Sequence, residues 1–325
     1  MSGFLTAFFD MFDTATIASI VAGASGLFFA TMGETISEKA GVINLSVDGS
    51  MMLAALAGFV VAFQTGNVWL GFPAAAAVGI VVALTIAYGN IKLSLNQVAI
   101  GFVLFALCTE LSRFLGSSYV GRQPVAVPAW DIPGLSSIPF FGRVLFSHNV
   151  IVYLSMTTVL LTYLFMYRTR AGLELQGIGE RPEAAHSRGI AVNRLRYFYT
   201  ALGGALIGMG GAAFSLDVKI GWSDRPTRNF GWIVLAIVIF GGWHPLRAAF
   251  GVLLFGALQA FALNLQPEFP SFSQVLPSIP FPAMILALVV VNWKTLLTWL
   301  DRYPFLRAIL RSDPPTAIGT RFEVS

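Results

Sequence analysis

The sequence predicts an all-α, polytopic membrane protein with about nine transmembrane helices, some of them broken or re-entrant. Charged residues make up 11% of the 325 residues, whereas soluble domains carry about 25%. Hydrophobic residues reach 56%, and the mean hydropathy is +0.75. The net charge of +4 is spread too thinly for nucleic-acid binding, and the single Cys108 excludes an intramolecular disulfide framework.

Stretches free of Asp, Glu, Lys and Arg mark the predicted spans, because each such residue costs roughly 2.5–3.5 kcal/mol at the centre of a bilayer helix. The second stretch has about twice the ~20 residues that one span needs, and it breaks around residues 64–67. It therefore holds two helices. The chain then has nine spans in a single domain of residues 1–300, from the windows 14–33, 49–91, 93–109, 144–167, 197–216, 229–246, 248–267 and 269–292.

The distribution of Lys and Arg sets the orientation. With the N-terminus outside and the C-terminus cytoplasmic, fourteen of the 20 basic residues fall on the cytoplasmic side. An external loop then covers residues 116–149, and a cytoplasmic segment covers residues 168–196. Residues 301–325 form a polar cytoplasmic tail with a frayed end, and residues 1–12 lack the basic residues of a cleaved signal peptide.

The cytoplasmic segment contains a short helix at residues 182–188. Pro182 suits the first helical position, and Gly189 suits the left-handed residue after the helix. Glu183 in the first turn is favourable with the helix dipole. Such a helix spans roughly 10 Å and needs a partner surface to be stable. The small side chains of Ala184 and Ala185 would let another protein approach it closely. Composition alone equally allows a solvated loop with one helical turn.

The sequence of this helix, GERPEAAHSRGIAV, resembles the "G-E-N-P-x-A-A-x-x-x-G-I" segment of permease subunits of bacterial ATP-binding-cassette importers. That family serves branched-chain amino acids, simple sugars and nucleosides. The resemblance implies a coupling helix that sits in a cleft of the ATPase subunit, with Arg181 standing where the family has Asn. The residues assigned to this role are Gly179, Glu180, Pro182, Glu183, Ala184, Ala185, Gly189 and Ile190.

A second candidate site lies between the first two spans. A helix over residues 49–63 would be only about 22 Å long, which is less than the hydrocarbon core. Residues 42–47 could therefore enter the membrane as non-helical backbone facing a cavity, as at the substrate sites of many transporters. The alternative is that Asp48 caps the second helix at the cytoplasmic surface, with Glu34, Glu38 and Lys39 as loop charges.

Residues 33–49 also resemble the "G-E-x-I-S-E-x-A-G-V-x-N-L-x-x-(D/E)-G" of the family's nucleoside-type permeases, and residues 95–105 resemble its "N-Q-V-x-x-G". A fourth match, at residues 231–256, resembles "G-W-I-A-L-A-x-V-I-F-G-x-W-x-P" and predicts a tight turn at residues 243–245. The expected translocation pathway contains Asn44, Ser46, Asp48, Asn96 and Gln97. For the last two, hydrogen bonding between helices is an equal alternative.

The resemblance implies the shorter nucleoside-type permease of an importer in the inner membrane. Its implied partners are a second permease chain, a cytoplasmic ATPase that binds ATP and Mg²⁺, and an extracytoplasmic binding lipoprotein. This chain lacks a phosphate-binding loop, and no cofactor, metal site or catalytic residue is expected on it. A simple-sugar or branched-chain amino acid permease is the alternative. A free-standing secondary transporter or channel would need buried ion-coupling carboxylates, which the charge-free windows lack.

Overall fold

The computed structural model describes residues 13–122, 126–131, 134, 136, 138–223, 227, 229–291, 293, 314–320 and 322. Almost all regular structure in these residues is helical. The α-helices are α1 (Thr14–Gly23), α2 (Ser25–Lys39), α3 (Val47–Thr65), α4 (Val68–Ile91), α5 (Gln97–Gly116), α6 (Phe141–Leu145), α7 (Val150–Arg168), α8 (Arg170–Glu180), α9 (Pro182–Ser187), α10 (Val192–Ala213), α11 (Phe230–Phe240), α12 (Pro245–Asn264) and α13 (Pro280–Val291).

Each predicted window overlaps a described helix, and the first window, 14–33, contains α1 and part of α2. Six described helices are long and apolar enough to cross a membrane: α3, α4, α5, α7, α10 and α12. Helices α1 and α2 together form a seventh candidate that is bent by 44°, and α11 and α13 are shorter apolar helices. The prediction of a polytopic α-helical membrane protein is therefore confirmed. The count of nine spans and the N-out orientation stay predictions.

Helix α10 forms the centre of the bundle and packs against α2, α3 and α4. Its glycines allow backbone to touch backbone. A Cβ on Gly204 would lie 2.4 Å from the carbonyl oxygen of Gly79 in α4, and a Cβ on Gly208 would lie 2.2 Å from that of Ala75. A π-helical turn, Phe214–Val218, extends α10 beyond its last α-helical residue. These glycines are structural, because any side chain there would push α4 and α10 apart.

Helix α2 continues beyond the charge-free window that predicted it. It includes Glu34, Glu38 and Lys39, all of which are buried. The placement of these charges in a loop is therefore wrong. Polar partners support the burial of the two carboxylates: the backbone N–H of Asn44 for Glu34 and the indole N–H of Trp243 for Glu38.

The predicted external loop contains regular structure that its proline content did not indicate. Strands β1 (Ala129–Asp131) and β2 (Ser147–Asn149) pair antiparallel, with Trp130 opposite His148. Asn149 then caps α7 by accepting the backbone N–H of Val152 at 3.1 Å. The side-chain amide of the same residue donates to Asp217 beyond α10, which fixes the hairpin to the bundle.

Part of the C-terminal tail is docked on the bundle. Residues 314–320 form turns that lie beside the ends of α2 and α8. The prediction of a frayed end is wrong for these residues, because their backbone is paired with other elements. Residues 301–313 of the predicted tail lie outside the described part of the chain.

Candidate functional site

The predicted short helix is present as α9, and its ends lie where Pro182 and Gly189 indicated. Pro182 occupies the first turn. Gly189 has φ +83°, a backbone conformation that side chains other than glycine rarely adopt. The preceding helix α8 is capped by Thr169, whose hydroxyl accepts the N–H of Gly172 at 3.0 Å. The segment therefore contains two consecutive helices, α8 and α9, rather than a solvated loop.

The eight predicted coupling residues divide into an exposed set and an anchoring set. Gly179, Pro182 and Ala185 are buried, the last in a cluster with Ile178 and Val192. Of the predicted alanine pair, Ala184 is exposed and Ala185 is mostly buried, so Ala184 offers more surface to a partner. The residues that remain accessible on the surface are Glu180, Glu183, Ala184, Gly189 and Ile190.

An open groove of about 490 Å³ runs between α8 and α9. Its floor is small-sided and its rim is charged, with both signs present. The small side chains let a partner fit closely, and the mixed charges of the rim favour neither a positively nor a negatively charged partner. The lining residues are Leu173, Glu174, Gly177, Glu180, Arg181, Ala184, Ala185, Arg188 and Ile190.

The docked C-terminal residues connect this segment to the end of α2. The backbone N–H of Ala317 donates to the carbonyl of Gly179 at 2.9 Å, and that of Gly319 donates to the carbonyl of Gly41 at 3.0 Å. The hydroxyl of Thr316 donates to Glu180 at 2.6 Å. Gly179 also packs directly against the carbonyl of Lys39. These bonds start from the last residues of α8, so they connect the end of α8, next to α9, with residue 41.

Residues 40–46, which join α2 to α3, are non-helical and almost entirely buried. The side chain of Gln97 accepts the N–H of Ile43 at 2.8 Å, and that of Glu34 accepts the N–H of Asn44 at 3.2 Å. Asn44 in turn accepts bonds from the N–H and hydroxyl of Ser46. Protein groups thus satisfy this backbone, as non-helical backbone within a membrane requires.

The first turn of α3 lies deep in the bundle. A Cβ on Gly49 would lie 2.5 Å from the carbonyl of Phe105, which is near the middle of α5. Asp48 is buried, and one of its carboxylate oxygens accepts the N–H of Gly231, in the first turn of α11, at 2.9 Å. Two helix N-termini therefore converge on one carboxylate. The alternative, that Asp48 caps α3 at the cytoplasmic surface, does not fit this placement.

The structure brings together four of the five predicted pathway residues and leaves out Asn96. Asn44, Ser46, Asp48 and Gln97 lie in or against the non-helical segment. Asn96 is exposed and caps α5, accepting the N–H of Val98 at 2.8 Å. Asn44 and Ser46 bond to each other, whereas Asp48 bonds to Gly231 and lines a cavity. The assignment of these residues to the pathway stays a prediction.

Sequence reasoning missed the residues that share this cavity with Asp48. They include Thr109, Glu110 and Arg113 of α5, together with Asn229 just before α11. A signal was available for two of them, because Glu110 and Arg113 are an acid and a base three residues apart in an otherwise uncharged helix.

Two further carboxylates lie buried within the bundle. Glu34 and Glu38 are one helical turn apart on α2, and Glu38 accepts the indole N–H of Trp243. The charge-free windows could not reveal them, so the absence of carboxylates from those windows is no argument against a secondary transporter. Other observations are needed to distinguish an ABC permease from a secondary transporter.

The predicted tight turn between α11 and α12 is confirmed. Trp243 has φ +55°, and α12 begins with Pro245. His244, which lies in the turn, stacks on the ring of Tyr167 at 5.0 Å. Burial, and then the nearby charges of Arg247 and Lys39, lower the pKa of His244 to about 4, so its ring is neutral at pH 7.

Comparison with known proteins finds relatives along most of the chain. The family described as branched-chain amino acid transport system / permease component matches residues 16–288. A candidate glucose ABC transporter permease of Haloferax volcanii is 37% identical, covering 92% of this chain and 90% of its own. A nucleoside ABC transporter permease of Lactococcus lactis (84% and 91%) and a guanosine ABC transporter permease of Bacillus subtilis (85% and 93%) are each 28% identical. No solved structure matches the chain significantly.

Proposed function

The chain belongs to the family of branched-chain amino acid transport system permease components, and we propose that it imports nucleosides across the membrane in an ATP-driven complex. It is an ABC permease, and relatives in that class are named for nucleosides, guanosine and glucose. The observation that supports the ATP-driven part of the proposal is the α8–α9 groove, which would serve as a docking surface for a separate ATPase, and the choice of nucleosides rests on the named relatives.

The proposed complex contains a separate cytoplasmic ATPase that binds ATP and Mg²⁺, while this chain binds no cofactor and catalyses no reaction. A second permease chain and an extracytoplasmic binding lipoprotein complete it. The exposed residues of α9, above all Ala184, would contact the ATPase. The external loop of residues 116–149 would face the binding protein.

Transport follows from how α9 is connected. Closure of the ATPase would displace α9 together with the adjoining end of α8, and the bonds from Gly179 in α8 through Ala317 and Gly319 to Gly41 would carry that displacement to residues 40–46. This segment contacts α5 through Gln97 and leads into the first turn of α3. Access to the cavity beside Asp48 would then alternate between the two sides.

The test is a substitution that fills the groove. Ala184→Trp should abolish ATP-dependent uptake while leaving the amount of protein in the membrane unchanged. Ala171→Trp is the matched control, since it makes the same change at an exposed position of α8 that does not line the groove. Glu183→Lys should also impair uptake, whereas Gly189 is a poor test because any larger residue there strains the backbone. Normal uptake by Ala184→Trp would contradict the docking role.

A simple sugar is the second candidate substrate, favoured by the 37% identity to the Haloferax protein. Deleting the gene and measuring uptake of labelled adenosine, uridine, ribose, glucose and leucine separates the candidates. Selective loss of adenosine or uridine uptake supports the proposal. Loss of ribose, glucose or leucine uptake alone would leave the family in place and change the substrate.

A further inference from the structure

Helix α11 is held at both ends by the two elements that flank residues 40–46. At its start, the backbone N–H of Gly231 donates to Asp48, in the first turn of α3, at 2.9 Å. Beyond its end, the indole N–H of Trp243 donates to Glu38, in the last turn of α2. The helix therefore bridges the same two points that the non-helical segment joins along the chain.

The bridging helix is stiffer than the segment that it bridges. The eleven residues of α11 span about 16 Å, and repeating backbone hydrogen bonds fix that length, whereas residues 40–46 contain no helix or strand. Ile233 and Val234 of α11 are buried in one core cluster with Met32 of α2 and Met51 of α3. Rigid, packed elements of this kind carry energetic coupling between distant parts of a protein. Helix α11 is therefore suited to move as one body with α2 and α3.

The turn after α11 holds Trp243 in a costly backbone conformation. Gly242 and Trp243 are both left-handed, with φ +57° and +55°. Glycine adopts this conformation without strain, whereas a bulky residue is rarely found in it. Such strain persists only where surrounding contacts impose it, and it is concentrated at functional sites. Here the buried indole and its bond to Glu38 supply those contacts.

We propose that Trp243 is a positioning residue for transport, which fixes α11 to the end of α2 so that the elements on both sides of residues 40–46 move together. This assignment rests on the proposed function and adds a second mechanical connection to it. The contacts from α8 reach Gly41, three residues after Glu38. A movement there would pass to Asp48 through α11 as well as through the non-helical segment. The helix transmits more of it, because it is the stiffer of the two.

The test measures the solute taken up per ATP hydrolysed by the complete complex in proteoliposomes, with whichever labelled solute the gene deletion identifies. Trp243→Phe removes the indole N–H but keeps an aromatic ring. It should lower this ratio at least about fivefold, the low end of coupling between two sites, while ATP hydrolysis continues. Trp232→Phe is the matched control, since it makes the same change in α11 at a ring that packs on Phe105. An unchanged ratio in Trp243→Phe, or an equal fall in the control, would overturn the proposal.

A pair of variants at Glu38 gives the same answer if Trp243→Phe does not assemble. Glu38→Gln keeps an oxygen that can accept the indole N–H and should keep the ratio. Glu38→Met removes the acceptor at nearly the same length and should lower the ratio as Trp243→Phe does. Equal ratios for the two would overturn the proposal, because a bond that only stabilises the fold changes the amount of complex and not the ratio. Uptake by the unmodified complex that needs no ATP would instead contradict the proposed function.

Discussion

The carboxylate of Asp48 accepts the backbone N–H of Gly231 at 2.9 Å across 183 residues of sequence. This bond joins the first turn of α3 to the first turn of α11, and the two backbones are almost in contact. A Cβ on Gly231 would lie 2.2 Å from the Cα of Asp48. The start of α3 is therefore held in the bundle by a helix from the far end of the chain.

Gly231→Ala should lower the free energy of unfolding by about 1–3 kcal/mol, the usual cost of overpacking, because the added methyl meets backbone that cannot move aside. Thermal unfolding of the purified protein in detergent measures the effect. Gly177→Ala is the control, since no atom lies within 4 Å of its added Cβ. Equal unfolding temperatures for both variants would show that the contact between α3 and α11 is looser than described.

The N-out orientation predicts which introduced cysteines an impermeant reagent reaches. Thr65→Cys and Gln266→Cys should label in intact cells, and Ser187→Cys only after permeabilisation. The unmodified chain is a suitable control, because its only cysteine, Cys108, is buried. Labelling of Ser187→Cys in intact cells would reverse the orientation.

Stability should fall as the pH is lowered from about 6.5 towards 4, partly because of His244. The folded protein holds the pKa of this ring at about 4, below its ordinary 6.5, so between these values the unfolded chain binds a proton that the folded chain does not. His244→Gln should make the unfolding temperature less dependent on pH in that window. An unchanged pH profile for the variant would assign the dependence to other groups.

Thr316→Val should loosen the docked C-terminal segment, because it removes the hydroxyl bond to Glu180. A loss of about 1 kcal/mol would speed amide hydrogen exchange of residues 314–320 roughly fivefold. Thr320→Val is the control, since that hydroxyl bonds only to Ala317 within the segment. Equal exchange in both variants would mean that the contact with Glu180 does not hold the segment.

The parts of the fold that sequence could predict depend on local chemistry. Absence of charge located the apolar helices, and Pro182 and Gly189 located both ends of α9, since each acts through its own backbone preference. The break between residues 64 and 67 was also visible, where Gly66 ends α3 in a left-handed conformation.

The parts that sequence could not predict depend on partners distant in the chain. Glu38 was placed in a loop because its partner, the indole of Trp243, lies 205 residues further along the chain. Asn96 and Gln97 are adjacent and alike, yet one caps an exposed helix end and the other bonds to Ile43. The cavity beside Asp48 is lined by three separate stretches of chain. Of its lining residues, only the ion pair on α5 is visible as a local pattern in the sequence.

The docking of residues 314–320 has a consequence for biosynthesis. These residues are translated after all the described helices, yet they bond to Gly41 and Gly179, near the beginning and the middle of the chain. During synthesis, the earlier helices are therefore in the membrane before the end of the bundle near Gly41 and Gly179 is complete. Residues 314–320 close the end on which the proposed ATPase would dock, so a chain truncated before them could not present a finished docking surface.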